Sequence, residues 1–275
     1  LPIRYWDQGP TRRISPTDEN KRTLEAAYFF LAQFTGYSKH YPLPLLYSYR
    51  DKNLYLPMRE KFMSLNRGTV YENTDMSYDM ELDNVDKVCD TTVFYFAYNM
   101  ANYYHFIYDT LPYLYVFFNE KKIHPEMKLL VSPPEGQDDL YPFVWDCLNM
   151  LGIQRDDVIF LDTNVLYNRV CIGSSLTHNG LSNCPPHKGV FEILNRMKSD
   201  YVGPEKIYIS RRTWLHNDTS NIGTNYTERR RCVNEDQVAR LFSMHGFTEV
   251  FCENLTMSEK IGMFRNAKYI AGPIG

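Results

Sequence analysis

The stretch from Lys206 to Gly272 leaves this chain the fewest options for folding. Three short apolar runs, KIYIS, TEVFC and KYIAG, alternate with two amphipathic segments, Glu235 to His245 and Met257 to Asn266. Strand, helix, strand, helix, strand is satisfied by parallel strands joined through crossover helices. Both helices carry start signals. Asn234 is followed by Gln237 and Thr256 by Glu259, each at the spacing in which two side chains reciprocally satisfy free N–H groups of a helix N-terminus. Gly246 ends the first helix.

Upstream the pattern is looser. TTVFYFAY from Thr91, MKLLVS, DVIFLD and RVCIGSS read as strands, with helical segments from Asn99 to about Glu120 and from Asp139 to Leu151 among them. A mainly parallel, layered sheet is expected. Before Thr91 only one amphipathic candidate helix, Glu19 to Phe34, can be read, and the acidic run Asp75 to Asp86 reads as a loop. SNCPPHK interrupts the alternation, and a helix from Gly189 to Asp200 then leads to Gly203-Pro204. The expected division is an N-terminal α/β domain over residues 1–188 and a C-terminal nucleotide-binding domain over 189–275.

A net charge of −3 provides no broad basic surface for a phosphate backbone, so nucleic acid is not an expected partner. The six cysteines are scattered without a CxxC pair, which argues against structural zinc. No run is long and apolar enough to span a bilayer, and LPIRYWDQGP lacks the layout of a leader. The expectation is a cytoplasmic protein, or a Golgi or ER luminal one if a leader or anchor has been removed. In a lumen Asn217, Asn225 and Asn254 would be glycan acceptors. The 22 Tyr and 16 Phe suit clefts that stack on sugars and suit a Tyr-rich core equally well.

In an open parallel sheet, ligands bind beyond the carboxyl ends of the strands. Here those ends are Arg211-Arg212, Cys252-Glu253 and the glycine loop Gly272-Pro273-Ile274-Gly275, with Arg229-Arg230-Arg231 before the next helix. Guanidinium forks for phosphate oxygens, a carboxylate for ribose hydroxyls and glycines for close approach suit a nucleotide diphosphate. Tandem arginines alone are ordinary in a solvated turn; convergence of three strand ends gives them weight. The second constellation is NYYHFIYDTLP, where helical spacing puts Asn102, His105 and Asp109 on one face and Ile107, Leu111, Leu114 and Phe118 on another. A His and a carboxylate one turn apart can take a proton from a hydroxyl, and are also common as a plain surface pair. Pro112 should bend this helix. No Asp-x-Asp flanked by apolar residues provides a metal clamp, and Asp75, Asp79 and Asp83 read as solvated. GxxxxGK[ST], GxSxG and HExxH are absent.

At these residues the chain resembles glycosyltransferase family sixty-one, the group that includes β-1,2-xylosyltransferases and O-linked N-acetylglucosaminyltransferases. NYYHFIYDTLPYL carries one part of the resemblance. KIYISRR followed by RRRCVNEDQVARLFSMHGFTEVFCENLTMSEKIGMFRNAKYIAGPIG carries the other. The resemblance implies a GT-B fold of two Rossmann-type α/β domains facing a cleft, an inverting mechanism without an essential metal, and a UDP-sugar donor in the C-terminal domain. It places Arg211, Arg212, Arg231, Asn234, Glu235 and Glu253, and His105 and Asp109, on recurrent family positions. Where the family continues Gly-His-Gly-Ala-Gly-Leu-Thr-Asn, this chain reads Gly272-Pro273-Ile274-Gly275, so the native chain extends further or the donor site is completed differently.

The resulting expectation is a transferase moving a pentose or hexosamine, UDP-xylose first and UDP-N-acetylglucosamine as the alternative donor, to a glycan hydroxyl, with no cofactor and no metal. Asp109 is first choice for the base, with His105. Arg211, Arg212, Arg231, Asn234, Glu235, Glu253, Gly272 and Gly275 hold the donor, and Asn102 and Tyr104 lie on the acceptor side. The rivals are a non-catalytic glycan-binding or scaffold protein on a degenerate transferase fold, and a sugar-nucleotide epimerase.

Overall fold

A computed structural model describes residues 27–37, 44–49, 53–56, 63–64, 87–134, 136–173, 176–177, 186–212 and 232–273. The chain separates into two compact units. One is Leu1–Val144 with Gly152–Asn195, the other Trp145–Leu151 with Arg196–Gly275.

The larger unit is built on a mixed sheet. Its strands are β1 (Ala27–Tyr37), β2 (Pro44–Ser48), β3 (Asn53–Leu56), β4 (Met63–Ser64), β5 (Lys87–Cys89), β6 (Val93–Tyr95), β7 (Lys128–Val131), β8 (Val158–Phe160) and β9 (Val165–Gly173), in the order β4-β3-β2-β1-β9-β6-β7-β8 with β5 also against β9. The pairings of β5 and β6 with β9, of β6 with β7 and of β7 with β8 are parallel, as expected. The antiparallel run β4-β3-β2-β1 and its antiparallel join to β9 were not expected. Val93, Phe94, Tyr95 and Phe96 are all fully buried, the mark of a parallel strand covered on both faces.

The candidate helix Glu19 to Phe34 is corrected from Ala27 onward, where the chain is strand β1; its earlier residues lie outside the described ones. A short aromatic run buried between two neighbours carries no clear period, so helix and strand look alike in sequence. The structure resolves this through partners. Phe34 stacks on Tyr95 at 5.1 Å and meets Tyr167 edge-on at 5.8 Å. Buried Gln33 donates to the Thr163 carbonyl at 3.2 Å and accepts from the Tyr49 hydroxyl at 3.1 Å.

Residues 103–121 form one helical stretch with three changes of pitch. An α-turn (Tyr103–His105) gives way to a π-helical turn (Phe106–Thr110), a 3-10 turn (Leu111–Tyr113) and then α1 (Leu114–Lys121). Pro112 has no N–H with which to continue an α-ladder. The Leu111 N–H bonds the Phe106 carbonyl, a wider loop, and the Leu114 N–H bonds Leu111 and Pro112, a tighter one. The wide turn rotates the buried stripe. Leu111 and Leu114 are buried as expected, but Phe106, Thr110, Tyr113, Val116 and Phe117 join them while Ile107 and Phe118 are only half-buried. Helices α2 (Pro142–Met150) and α3 (Lys188–Arg196) fall where two further helices were expected.

In the smaller unit β10 (Lys206–Ile209), α4 (Glu235–Met244), β11 (Thr248–Val250), α5 (Met257–Asn266) and β12 (Tyr269–Ala271) follow the expected succession. The strands are parallel in the order β11-β10-β12, with Ile207 opposite both Thr248 and Ile270. Ile207, Val250 and Met263 form the core beneath. Thr256 and Glu259 make the reciprocal cap at the start of α5. Asn234 does not: its side chain bonds Gln237 at 3.4 Å and caps no backbone N–H of α4. Gly246 takes φ +80°, which ends α4 as expected. Gly262 lets α5 lie against the Tyr201 carbonyl, space that a Cβ would occupy. Among the described residues no helix is long and apolar enough to cross a membrane.

Candidate functional site

The first constellation is assembled by the start of helical stretch 103–121. Asn102, extended at φ −105° and ψ 113°, accepts from the His105 N–H at 3.1 Å, and its own carbonyl accepts from Phe106 at 2.7 Å. Its amide oxygen is thus engaged in starting the helix. His105 Nδ1 lies 2.6 Å from Asp109 Oδ2, and the Thr177 hydroxyl donates to Asp109 Oδ1 at 3.1 Å. Thr177 carries no spacing signal, since it lies 68 residues from Asp109 in sequence. Asp109 is the shielded member, with 13% of its side chain exposed against 47% for His105. An ionised carboxylate only accepts, so Nδ1 is the nitrogen that donates to it, and in the neutral imidazole Nε2 is then the one with a lone pair. Among the described residues nothing bonds that Nε2. The arrangement can orient an imidazole and take a proton at Nε2.

The second constellation is the carboxyl edge of β10-β11-β12. Residue 210 continues the ladder, its N–H bonding the Val250 carbonyl at 2.9 Å. Glu235, the first residue of α4, turns inward and is 1% exposed. Its Oε1 accepts from the Tyr208 hydroxyl (3.2 Å), the Ser210 hydroxyl (3.3 Å) and the Arg211 N–H (2.7 Å). Burial, then the Glu235 carboxylate beside it, pushes the Tyr208 hydroxyl well above its ordinary range. Arg212 bonds Ser210 Oγ through its backbone at 3.2 Å and closes a fork on Glu249, with Nε to Oε1 at 2.9 Å; its remaining nitrogen pairs with Asp236. These two carboxylates, Glu249 foremost, raise its pKa.

The expected donor residues have the following surroundings. The Arg212 guanidinium faces carboxylates of its own unit, Glu249 on the neighbouring strand β11 and Asp236 in the first turn of α4. Glu235 is a buried acceptor for backbone and hydroxyl groups. Arg211 is half-buried, and among the described residues its guanidinium has no ion-pair partner. Glu253 is half-buried, and neither its Oε1 nor Glu235 Oε2 has a hydrogen-bond partner among the described residues. Asn234 is exposed, and Gly272 packs so that a Cβ would stand 2.8 Å from the Ile209 carbonyl. Arg231 and Gly275, like Asp75, Asp79 and Asp83, lie outside the described residues.

The family model described as Glycosyltransferase 61 matches residues 103–275, more than half of the chain. The chain belongs to this family. The match begins at Tyr103, so it takes in His105, Asp109 and Thr177 and all of β10 to β12. Strands β1 to β6 precede it. No curated protein and no solved structure matches the chain. The protein is thus a glycosyltransferase whose fold is mixed α/β, with parallel strands and helices compatible with a Rossmann-like transferase, and a nucleotide sugar and a glycan acceptor are the partners its class implies. Burial pushes the Cys147 thiol up to about 12 and raises that of Cys171 as well.

Proposed function

We propose that this glycosyltransferase moves a sugar from a UDP-sugar, xylose first, to a glycan hydroxyl in one inverting displacement without an essential metal, in the GT-B manner. The larger unit takes the acceptor and the smaller unit the donor. The observation that carries the reading is the Thr177–Asp109–His105 chain, which supports His105 as the base and Asp109 as the residue that positions it. This reverses the order of preference in the sequence reading, which put Asp109 first as a carboxylate able to act across neutral pH. The acceptor hydroxyl gives its proton to His105 Nε2 as its oxygen bonds the anomeric carbon. The bond from that carbon to the diphosphate oxygen breaks, and UDP leaves with the electron pair. Arg211, whose guanidinium is unpaired among the described residues, meets that charge, while Arg212 holds the strand end through Glu249.

The test is a transfer assay with UDP-xylose and UDP-N-acetylglucosamine over a panel of glycans in excess chelator, with the anomeric configuration of the product read by NMR. His105→Ala should lower the rate by about 10²–10⁴-fold while UDP binding by calorimetry is kept. Undiminished transfer by His105→Ala would sink the assignment, and a strict need for added divalent ion would remove the metal-free mechanism.

A further inference from the structure

Next to the His105–Asp109 pair lies an aromatic surface that core packing does not explain. Tyr104 is 63% exposed, whereas Tyr95, Tyr167 and Tyr208 of the two cores are at most 1% exposed. Its ring lies 5.8 Å from that of half-buried Tyr108, the planes 19° apart, and 5.2 Å from the His105 imidazole. The two pairs, Tyr104 with Tyr108 and His105 with Asp109, share one spacing and cross the same change from α-turn to π-turn. The aromatic pair therefore runs alongside the proton-accepting pair. Wide turns of this kind recur at functional sites.

The chemistry of this surface is specific. From Asn99 to Glu120 the chain has no Lys or Arg, so this stretch itself supplies no cation to an anion. It offers the exposed Tyr104 ring, flat and apolar with a hydroxyl at its tip and stacked on Tyr108, and beside it the His105 imidazole. A pyranose ring is complementary: its C–H face is apolar and flat, and its rim carries hydroxyls. We infer that Tyr104 and Tyr108 form a stacking platform for a neutral pyranose ring of the acceptor, which directs one of its hydroxyls to His105. This rests on the transferase reading above and names the acceptor class for the same site.

The experiment is saturation-transfer NMR of the full chain with three methyl pyranosides (xyloside, mannoside and galactoside) and with acyclic sorbitol as the polyol control. UDP calorimetry is run on the same samples. Saturation should fall on the C–H protons of one ring face and be absent for sorbitol. Tyr104→Ala and Tyr108→Ala should each weaken pyranoside binding about ten-fold. Tyr104→Phe should retain it, and Tyr104→Ala should melt with the wild type because its ring is exposed. Unchanged pyranoside signals in Tyr104→Ala, or sorbitol saturating equally, would overturn the platform. UDP binding without pyranoside binding defeats the platform and leaves the transferase reading standing. Pyranoside binding without UDP binding leaves the platform and defeats a UDP-sugar as the donor.

Discussion

At the scale of single residues, the end of β10 separates two neighbours that sequence treats alike. Arg211 and Arg212 follow directly on one another past the end of β10, yet among the described residues only Arg212 meets Glu249 and Asp236. The tandem arginine was legible; its partners, 24 and 37 residues away, were not. The same applies to Glu235, whose position at the edge was expected but whose inward direction depends on the Tyr208 and Ser210 hydroxyls across the sheet. Glu235 is in effect the anchor of the Arg211 backbone. Glu235→Ala would leave two hydroxyls and one N–H without an acceptor, a loss of about 2–4 kcal/mol. Glu235→Gln keeps an acceptor oxygen and should lose clearly less. Denaturant titration of both variants checks this, and an equal loss would mean that charge, not hydrogen bonding, is what Glu235 contributes.

At the scale of elements, local signals served best where local physics decides. The cap at Thr256, the stop at Gly246 and the disturbance at Pro112 each come from one residue's own hydrogen-bonding or backbone geometry, and all three appear. The run Ala27–Tyr37 failed because its strand character depends on β2 and β9 on either side. Contacts between elements were equally hidden, among them Lys121 at the end of α1, which donates to Asp157 at 2.8 Å just before β8. This bond, then the Gln154 N–H, holds the Asp157 carboxyl below its ordinary value of 3.8. A depressed carboxyl stabilises the fold above the ordinary value and loses that contribution as pH falls through the depressed one. With both groups about one-third exposed, the pair is worth about 0.5 kcal/mol. Lys121→Met should therefore be slightly less stable than the wild type at neutral pH and indistinguishable from it at a pH below the carboxylate range. Chemical denaturation at the two pH values reads the difference, and a gap that widens on acidification would refute the linkage.

At the scale of the whole molecule, alternation of strands and helices was legible because each parallel crossover imposes it, while the antiparallel strands β1 to β4 carry no such signature and were missed. In the proposed reading the parts are divided between the two units: an oriented imidazole with exposed Tyr104 beside it in one, and in the other the Arg211 guanidinium, which has no ion-pair partner among the described residues. If donor and acceptor are divided in this way, each ligand should slow amide exchange in its own unit, because bound ligand suppresses only the openings that release it. UDP should protect residues 206–212 and 232–244 and leave 128–131 unchanged, and a methyl pyranoside should protect 103–110. Hydrogen exchange read by mass spectrometry resolves these segments in one experiment. UDP protection confined to 103–121, with none around Arg211, would move the nucleotide to the larger unit. The Arg211 guanidinium would then have no nucleotide to meet, and Arg211 would have to be read as a half-buried residue anchored by Glu235 for stability alone.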